Sequence, residues 1–218
     1  LKIDVLRKDG SRVKPRDLVF TVEGKVQSIL QAERLMLNIM QRMSGVATAT
    51  NRYVALIEGT GAKVLDTRKT TPGMRMLEKQ AVRLGGGVNH RIGLFDMILL
   101  KDNHIDFAGG IENAVRGAKR YLKEKNKSLK IEVEVRDIDE LNEVLRVGGV
   151  DRVMLDNFTP AATKEAVQIV NGRVELESSG GITSETIRSY AETGVDYISV
   201  GALTHSVKGL DMSLIATT

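Results

Sequence analysis

Cationic side chains follow three short apolar or glycine-rich runs between residues 63 and 104. Arg68 and Lys69 follow the first run, Arg91 follows the second, and Lys101 follows the third. If these runs are parallel strands, their carboxyl ends meet at one edge of the sheet, and the cations converge there. An Arg guanidinium pairs with a carboxylate through two parallel hydrogen bonds, which suits a small planar dicarboxylate. The positive pocket predicted at this edge consists of Arg68, Lys69, His90, Arg91 and Lys101.

Two carboxylates, Glu134 and Asp156, stand at the ends of two later strand-like runs. Carboxylates at this edge can hold Mg²⁺ through water and the ligand's own oxygens, or they can contact ribose hydroxyls. The alternative is a simple salt bridge to Lys101 or Arg68, and we favour the metal or ribose contact. Glu132 shares a face with Glu134 but lies deeper, so it is expected to be a core carboxylate that needs a partner.

A glycine turn, Ser179-Gly180-Gly181, follows a late strand-like run and precedes a predicted helix. Glycine lets backbone N–H groups approach a phosphate closely, and the start of a helix is electropositive. By itself this pattern indicates only a tight turn. Gly201 follows the next run, and loops after the last two strands of a barrel commonly form one phosphate site. The pair therefore favours phosphate binding, with His205 as a weaker candidate because a lone histidine is more often structural.

The elements that must position these residues alternate regularly from residue 61 onwards. Strands are predicted at 63–66, 88, 97–100, 130–135, 152–155, 174–177 and 197–200, with helix-like segments between most of them. At least six strands alternating with helices favour a parallel β/α barrel over an open sheet. Thr159 and Ser184 are the predicted caps of two of the helices.

Residues 1–60 lack this alternation, so we assign them to a separate N-terminal part and residues 61–218 to the barrel. Strands are predicted near residues 1–6 and 13–22, followed by helical spacing through Ile57 with a kink or break at Ser44-Gly45.

Composition narrows the choice of partner and compartment. The chain has 218 residues with 42% hydrophobic and 28% charged residues, which is typical of an α/β protein. The net charge of +4 favours an anionic partner only mildly, and 4% aromatic residues without Trp argue against nucleic acid. The absence of Cys and of any apolar run of membrane length predicts a cytoplasmic protein that does not bind a membrane.

At these residues the chain resembles the quinolinate phosphoribosyltransferase family, also called carboxylating nicotinate-nucleotide pyrophosphorylases. The resemblance covers nearly the whole chain, in order, and rests on the segments AERLMLNIMQRMSGVAT, DTRKTTPGMR, GGGVNHRIGLFD, LKDNHI, EVEV, LDNF, SSGGI and SVGALTHS. It implies an N-terminal α/β sandwich domain plus an incomplete, seven-stranded barrel. In the family the N-terminal domain begins several dozen residues earlier, so only the C-terminal remnant of that domain is expected here.

The resemblance also implies the reaction and the roles of individual residues. Quinolinate and phosphoribosyl pyrophosphate would condense with Mg²⁺ to give nicotinate mononucleotide, pyrophosphate and CO₂, in a homodimer or higher oligomer with shared sites. Glu134 and Asp156 would address the ribose and the metal, and Arg34 would reach the pocket from a neighbouring subunit. The catalytic residues implied are Lys69, Lys101, Glu134 and Asp156. The substrate-binding residues implied are Arg34, Thr67, Arg68, Lys69, His90, Arg91, Lys101, Glu134, Asp156, Ser179, Gly180, Gly181, Gly201 and His205.

Two alternatives stay open at this point. A related enzyme could take a monocarboxylate such as nicotinate, although a monocarboxylate needs fewer cations than the chain offers. A non-catalytic phosphate-binding or regulatory protein is the other, and the presence of Glu134 and Asp156 argues against it.

Overall fold

The N-terminal part consists of a small hairpin and one long helix in the computed structural model, which describes residues 1–217. Strand β1 (Lys2–Val5) pairs antiparallel with β2 (Phe20–Glu23), and helix α1 (Val26–Leu56) follows. The first strand is therefore confirmed, and the second predicted segment forms one strand near its end.

Helix α1 runs without interruption through Gly45, so the predicted break at Ser44-Gly45 is wrong. The glycine has a different role. A Cβ atom on Gly45 would collide with the backbone carbonyl of Lys208, because the C-terminal segment crosses the helix at this point. Around the crossing, Leu210 N donates to Gln41 O at 3.1 Å, and Gln41 Nε2 donates to Met212 O at 2.9 Å.

Six parallel strands form the main sheet. They are β3 (Lys63–Leu65), β4 (Ile98–Leu100), β5 (Ile131–Val135), β6 (Arg152–Asp156), β7 (Glu175–Ser179) and β8 (Tyr197–Ser199), in the spatial order β3-β8-β7-β6-β5-β4. The parallel α/β sheet expected from the alternation is confirmed. Where a seventh strand was predicted, Val88 makes a single parallel bridge to Leu65 on the outer side of β3.

Helices cover the sheet along the chain. They are α2 (Arg75–Leu84), α3 (Asp102–Ala108), α4 (Ile111–Glu124), α5 (Ile138–Val147), α6 (Pro160–Val170), α7 (Ile187–Ala191) and α8 (Ala202–His205). Thr159 caps α6 as predicted, because its side chain accepts a hydrogen bond from Ala162 N at 3.2 Å. Ser184 does not cap α7: the helix begins only after Thr186, and the Ser184 hydroxyl donates to Glu185 instead.

The two faces of the sheet differ in polarity. Because side chains alternate along a strand, the face that carries Val133 and Leu155 packs on the helices and is apolar. The opposite, inner face carries charged residues, including Glu132, Arg152 and Glu177, which are all buried. Within residues 1–217 no helix is both long and apolar enough to cross a bilayer.

Candidate active site

The carboxyl ends of the six strands lie along one edge of the sheet, which we call the rim. In spatial order, the rim carries Thr67, Arg68 and Lys69 after β3, Gly201 after β8, Ser179, Gly180 and Gly181 at β7, Asp156 at β6, Glu134 at β5 and Lys101 after β4. The topology therefore brings the strand-end residues named from the sequence to one edge. The carboxylates lie between Lys101 on one side and the glycine turn on the other.

The two rim carboxylates each use one oxygen and leave the other without a hydrogen bond within residues 1–217. Glu134 Oε2 accepts from Lys101 Nζ at 2.6 Å, so the salt bridge considered from the sequence is formed. Asp156 Oδ2 accepts from Asn157 Nδ2 at 2.8 Å. The two residues share a face of adjacent strands, because Glu134 pairs with Met154, two residues before Asp156. One free oxygen on each carboxylate fits a divalent cation or a ribose hydroxyl.

The glycine turn packs against Asn157, a residue to which the sequence reasoning gave no role. Gly180 has φ +101°, and a Cβ atom there would collide with the Asn157 side chain and backbone nitrogen. Asn157 is itself left-handed with φ +56°, and its N–H donates to Ser179 O at 2.9 Å. Helix α7 starts six residues after Gly181, so the expectation that a helix start supports this turn is wrong. Without a helix start, a phosphate at this turn would be bound by the backbone N–H groups of the turn itself.

Lys69, Gly201 and His205 lie together at the next position of the rim. The Thr204 hydroxyl donates to the Lys69 carbonyl at 2.7 Å and joins the two loops. The His205 ring and the Lys69 side chain pack beside Gly201, and His205 Nδ1 lies 2.6 Å from the Ser206 hydroxyl oxygen. The loops after β3 and β8 are therefore held as one unit.

Arg68 and Arg91 lie close enough to repel each other. Burial lowers the pKa of Arg91, and the nearby Arg68 guanidinium lowers it further. Arg91 Nη1 donates to Met97 O at 3.3 Å and so crosses from the Val88 segment to the loop before β4. Glu132 and Asp96 oppose this effect, but the pKa of Arg91 stays lowered overall. Two neighbouring guanidinium groups that repel each other are a favourable site for a dianion.

Below the rim, a buried cluster joins His90 to the inner face of the sheet. His90 Nε2 lies 3.0 Å from Glu132 Oε2 and 3.4 Å from Glu177 Oε2, although neither contact is aligned as a directed hydrogen bond. Arg152 Nη1 donates to Glu177 Oε2 at 3.2 Å. Glu132 thus has the buried partner that its position required. Burial and repulsion from Glu177 raise the pKa of Glu132 to about 7 against the opposing effects of His90 and Arg152.

The protonation of His90 depends on two opposing contacts. Burial lowers the pKa of His90, whereas the two carboxylates favour the protonated ring and raise it. On the other side of the ring, Nδ1 accepts the backbone N–H of Arg91 at 2.7 Å, which requires a bare Nδ1. The carboxylates favour a doubly protonated ring, but the Arg91 N–H occupies the position at Nδ1 where the second proton would lie. This direct contact decides for the neutral ring with its proton on Nε2.

This tautomer makes the cluster unsuitable for a metal, although the ligand atoms of His90, Glu132 and Glu177 lie within 4.8 Å of one another. A histidine that binds a metal through Nε2 carries its proton on Nδ1 and donates it outward. Here a proton on Nδ1 would point at the Arg91 N–H. Both ring nitrogens are therefore used inside the protein, and His90 lies beneath the pocket. Its role in substrate binding stays a prediction.

A second buried group, centred on Asp66, holds the 88–91 segment beside β3. Asp66 Oδ1 accepts from Lys79 Nζ at 2.5 Å and from His90 N at 2.8 Å, and Asp66 Oδ2 accepts from Asn89 Nδ2 at 2.5 Å. The sequence reasoning assigned no role to these contacts. Lys79 lies on a helix, where a cation is usually exposed, so nothing in its local pattern marks it as buried.

Arg34 is a predicted site residue that no contact within residues 1–217 joins to the rim. It lies exposed on α1 and has no hydrogen bond or ion pair to any residue from 1 to 217. Its expected position in a neighbouring subunit's pocket stays a prediction.

Comparison with known families covers almost the whole chain. A family model described as the quinolinate phosphoribosyl transferase C-terminal domain matches residues 46–215, and the corresponding N-terminal domain model matches residues 1–44. The boundary drawn from the sequence near residue 60 lies between α1 and β3 and stays a prediction.

Individual relatives and solved structures agree with these matches. A chloroplastic nicotinate-nucleotide pyrophosphorylase [carboxylating] of Arabidopsis thaliana is 46% identical over 98% of this chain, and this chain spans 65% of that protein's length. A probable nicotinate-nucleotide pyrophosphorylase [carboxylating] of Bacillus subtilis is 42% identical over 97% of this chain and 72% of its own length. The crystal structure of NadC from Streptococcus pyogenes superposes with a TM-score of 0.92 at 41% identity, over 99% of this chain and 75% of that one. The nicotinate-nucleotide pyrophosphorylase structure from Francisella tularensis has a TM-score of 0.90 at 50% identity, and the superposition covers 97% of this chain and 74% of that one.

Proposed function

Because this chain belongs to the quinolinate phosphoribosyltransferase family, we propose that it transfers phosphoribose from phosphoribosyl pyrophosphate to quinolinate in NAD biosynthesis. The products are nicotinate mononucleotide, pyrophosphate and CO₂. The observation that carries the proposal is the charge order along the rim, where cations on both flanks enclose two carboxylates and a glycine turn.

The acceptor is best explained as a dicarboxylate. Arg68 and Arg91 repel each other in the free protein, and Lys101 and Lys69 add positive charge on either side. A dianion relieves this repulsion by pairing with the guanidinium groups, whereas a single carboxylate leaves part of it uncompensated. This charge balance supports quinolinate over nicotinate.

The phosphoribosyl donor, phosphoribosyl pyrophosphate, would bind at the carboxylates and the glycine turn. The free oxygens of Glu134 and Asp156 would hold Mg²⁺ or the ribose hydroxyls, and the N–H groups of residues 179–181 with Gly201 would hold the 5′-phosphate. When bound, Mg²⁺ supplies charge neutralisation for the leaving pyrophosphate. Lys69, packed beside Gly201, and Lys101, paired with Glu134, add fixed positive charge near the same atoms.

Positioning and electrostatics account for most of the catalysis in this scheme. The bond between the ribose carbon and pyrophosphate breaks, and the pyridine nitrogen of quinolinate bonds to the oxocarbenium-like carbon. The arginines orient the ring so that its nitrogen faces that carbon. The carboxylate beside the alkylated, cationic nitrogen is then lost as CO₂, because the ring nitrogen stabilises the electron pair left behind. That ring carbon takes up a proton from solvent to give nicotinate mononucleotide. No covalent enzyme intermediate is needed.

The assembly follows the same family logic. We propose a homodimer, at least, in which Arg34 enters the neighbouring subunit's pocket, and an incomplete, seven-stranded barrel in which the Val88 bridge is the seventh position. Exposed apolar side chains beside Arg34 on α1 support burial of this surface: Val26, Leu30 and Leu35 are 66%, 62% and 69% exposed. The cytoplasmic location stays a prediction.

The proposed function is tested by turnover with quinolinate compared with nicotinate, in wild type and in Arg91→Ala. With phosphoribosyl pyrophosphate present, we expect release of pyrophosphate and CO₂ when quinolinate is the acceptor and no turnover when nicotinate is the acceptor. Arg91→Ala should lower kcat/KM by roughly 100-fold, because it removes a guanidinium that orients the acceptor. Arg116→Ala is the control, since Arg116 lies on α4 and, among residues 1–217, forms an ion pair only with Glu112. Turnover of nicotinate at the quinolinate rate, or full activity of Arg91→Ala, would contradict the proposal.

A further inference from the structure

We propose that Glu132 and Glu177 are positioning residues that fix the tautomer of His90 and, through it, hold Arg91 at the rim. The inference rests on the proposed function only for the identity of what Arg91 binds. The chain of contacts from the carboxylates to Arg91 stands on the structure itself.

When both are ionised, the carboxylates of Glu132 and Glu177 allow only one tautomer of His90. Both are fully buried, and three of their oxygens have no hydrogen bond within residues 1–217: Glu132 Oε1, Glu132 Oε2 and Glu177 Oε1. A bare Nε2 facing them would place one more lone pair against two acceptor groups in a site without solvent. A proton on Nε2 instead faces both carboxylates, whose nearest oxygens lie 3.0 and 3.4 Å away, and is attracted by their charge although neither contact is aligned as a directed hydrogen bond.

Fixing the proton on Nε2 leaves Nδ1 free to accept from Arg91. The Arg91 backbone N–H donates to Nδ1 at 2.7 Å, and its guanidinium donates to Met97 O at 3.3 Å. Arg91 is therefore held at both ends, while Asp66 holds the backbone N–H of His90 at 2.8 Å. If the proton moved to Nδ1, it would face the Arg91 N–H, and the backbone of this residue would have to shift.

The inner face provides a matched control for this role. Glu175 accepts from Arg152 Nη2 at 3.1 Å and from Lys130 Nζ at 3.0 Å but has no contact with His90. Glu175→Gln thus perturbs the same buried Arg152 network without changing what faces Nε2. Glu177→Gln and Glu132→Gln place an amide near Nε2, and an amide can either accept a hydrogen bond through its oxygen or donate one through its NH₂ group. Both tautomers then become possible.

The first test reads the tautomer and the backbone contact without any substrate. The chain contains only three histidines, so ¹⁵N-imidazole labelling gives a spectrum that can be assigned by loss of the His90 signals in His90→Asn. We expect the wild type to show a neutral ring protonated at Nε2 at pH 7.5. Glu177→Gln and Glu132→Gln should give mixed tautomers and roughly ten-fold faster hydrogen exchange at the Arg91 amide. Glu175→Gln should give neither change.

The second test reads the effect on the proposed reaction. Both Gln variants should raise the KM for quinolinate roughly ten-fold and leave the KM for phosphoribosyl pyrophosphate within about two-fold, because only the acceptor side depends on Arg91. An imidazolium or an Nδ1-protonated His90 in the wild type would overturn the proposal, even if no variant folds. So would a changed tautomer with unchanged quinolinate KM and unchanged Arg91 exchange. If the wild type did not turn over quinolinate, the proposed function would fail. The spectra and the exchange rates would still show whether the carboxylates fix the His90 tautomer and the contact of His90 with the Arg91 N–H.

Discussion

At the scale of single residues, the rim depends on backbone positions that leave no room for a side chain. Gly180 combines a left-handed φ of +101° with direct contact to Asn157, whose own amide holds Asp156. The glycine turn and the acidic flank are therefore joined at this point. Any side chain at residue 180 would push Asn157 away from Asp156.

Gly180→Ala should weaken both folding and donor binding. The left-handed backbone costs about 1 kcal/mol for alanine, and the collision with Asn157 adds about 1–3 kcal/mol to the loss in unfolding free energy. We also expect a higher KM for phosphoribosyl pyrophosphate. Gly172→Ala is the control, because Gly172 has φ +73° but open space around it and should lose only the first amount. Urea unfolding and steady-state kinetics measure both, and equal losses in the two variants would contradict the steric argument.

The residues at strand ends were predictable from sequence, whereas the residues that hold them were not. The sequence predicts the positions of Arg68, Glu134 and Asp156 because each stands at the end of an apolar run and the carboxyl ends of parallel strands converge. The inward direction of the His90 ring and the burial of Lys79 depend on partners from other elements. Such contacts leave no periodic signal in the local sequence.

At the scale of elements, α1 illustrates how one glycine can be misinterpreted. A glycine within a helical pattern suggested a break, yet the helix is continuous and Gly45 instead admits the C-terminal segment. Arg42, one turn earlier, reinforces this crossing: it donates to Glu78 on α2 at 2.8 Å and to the carbonyl of Val207 at 3.2 Å. The helix is thus fastened to α2 and to the segment after α8.

Gly45→Ala and Gly117→Ala should change stability in opposite directions. In a helix interior, replacing glycine by alanine normally stabilises by up to about 1 kcal/mol, and Gly117 in α4 has nothing near enough to interfere. At Gly45 the added methyl group meets the Lys208 carbonyl, so we expect a net loss of about 1–3 kcal/mol. Thermal and urea unfolding measure the two signs. Stabilisation by Gly45→Ala would mean that the C-terminal segment does not cross there.

The element boundaries were predictable where apolar periodicity was strong and unclear where it was weak. Strands β5 to β8 lie close to their predicted bounds because each buries a regular apolar stripe. Helix α3 has only Ile105 buried, and α7 is five residues long. Helix α3 was not predicted, and the helix predicted after Ser184 starts later than expected, because neither has enough periodic positions to define its bounds.

At the scale of the whole molecule, the charged inner face should give stability a maximum in mildly acid solution. Burial and Glu177 raise the pKa of Glu132 from 4.5 to about 7, so its contribution is complete below pH 4.5 and is lost as the pH rises through 7. Burial alone would raise the pKa of Glu175, but Lys130 and Arg152 lower it overall. Its contribution is present above pH 4.5 and is lost as the pH falls through the lowered value.

Two variants separate these opposite slopes. Glu132→Gln should flatten the decline in unfolding free energy between pH 5 and 8, a decline we expect to reach about 1–3 kcal/mol in the wild type. Glu175→Gln should flatten the acid side below pH 4.5 and leave the neutral side unchanged, because it has no contact with Glu132. Urea unfolding at half-unit steps from pH 3.5 to 8 measures both slopes. An unchanged neutral slope in Glu132→Gln would show that the sheet interior does not keep this carboxylate protonated, and the account of the buried charges would have to change.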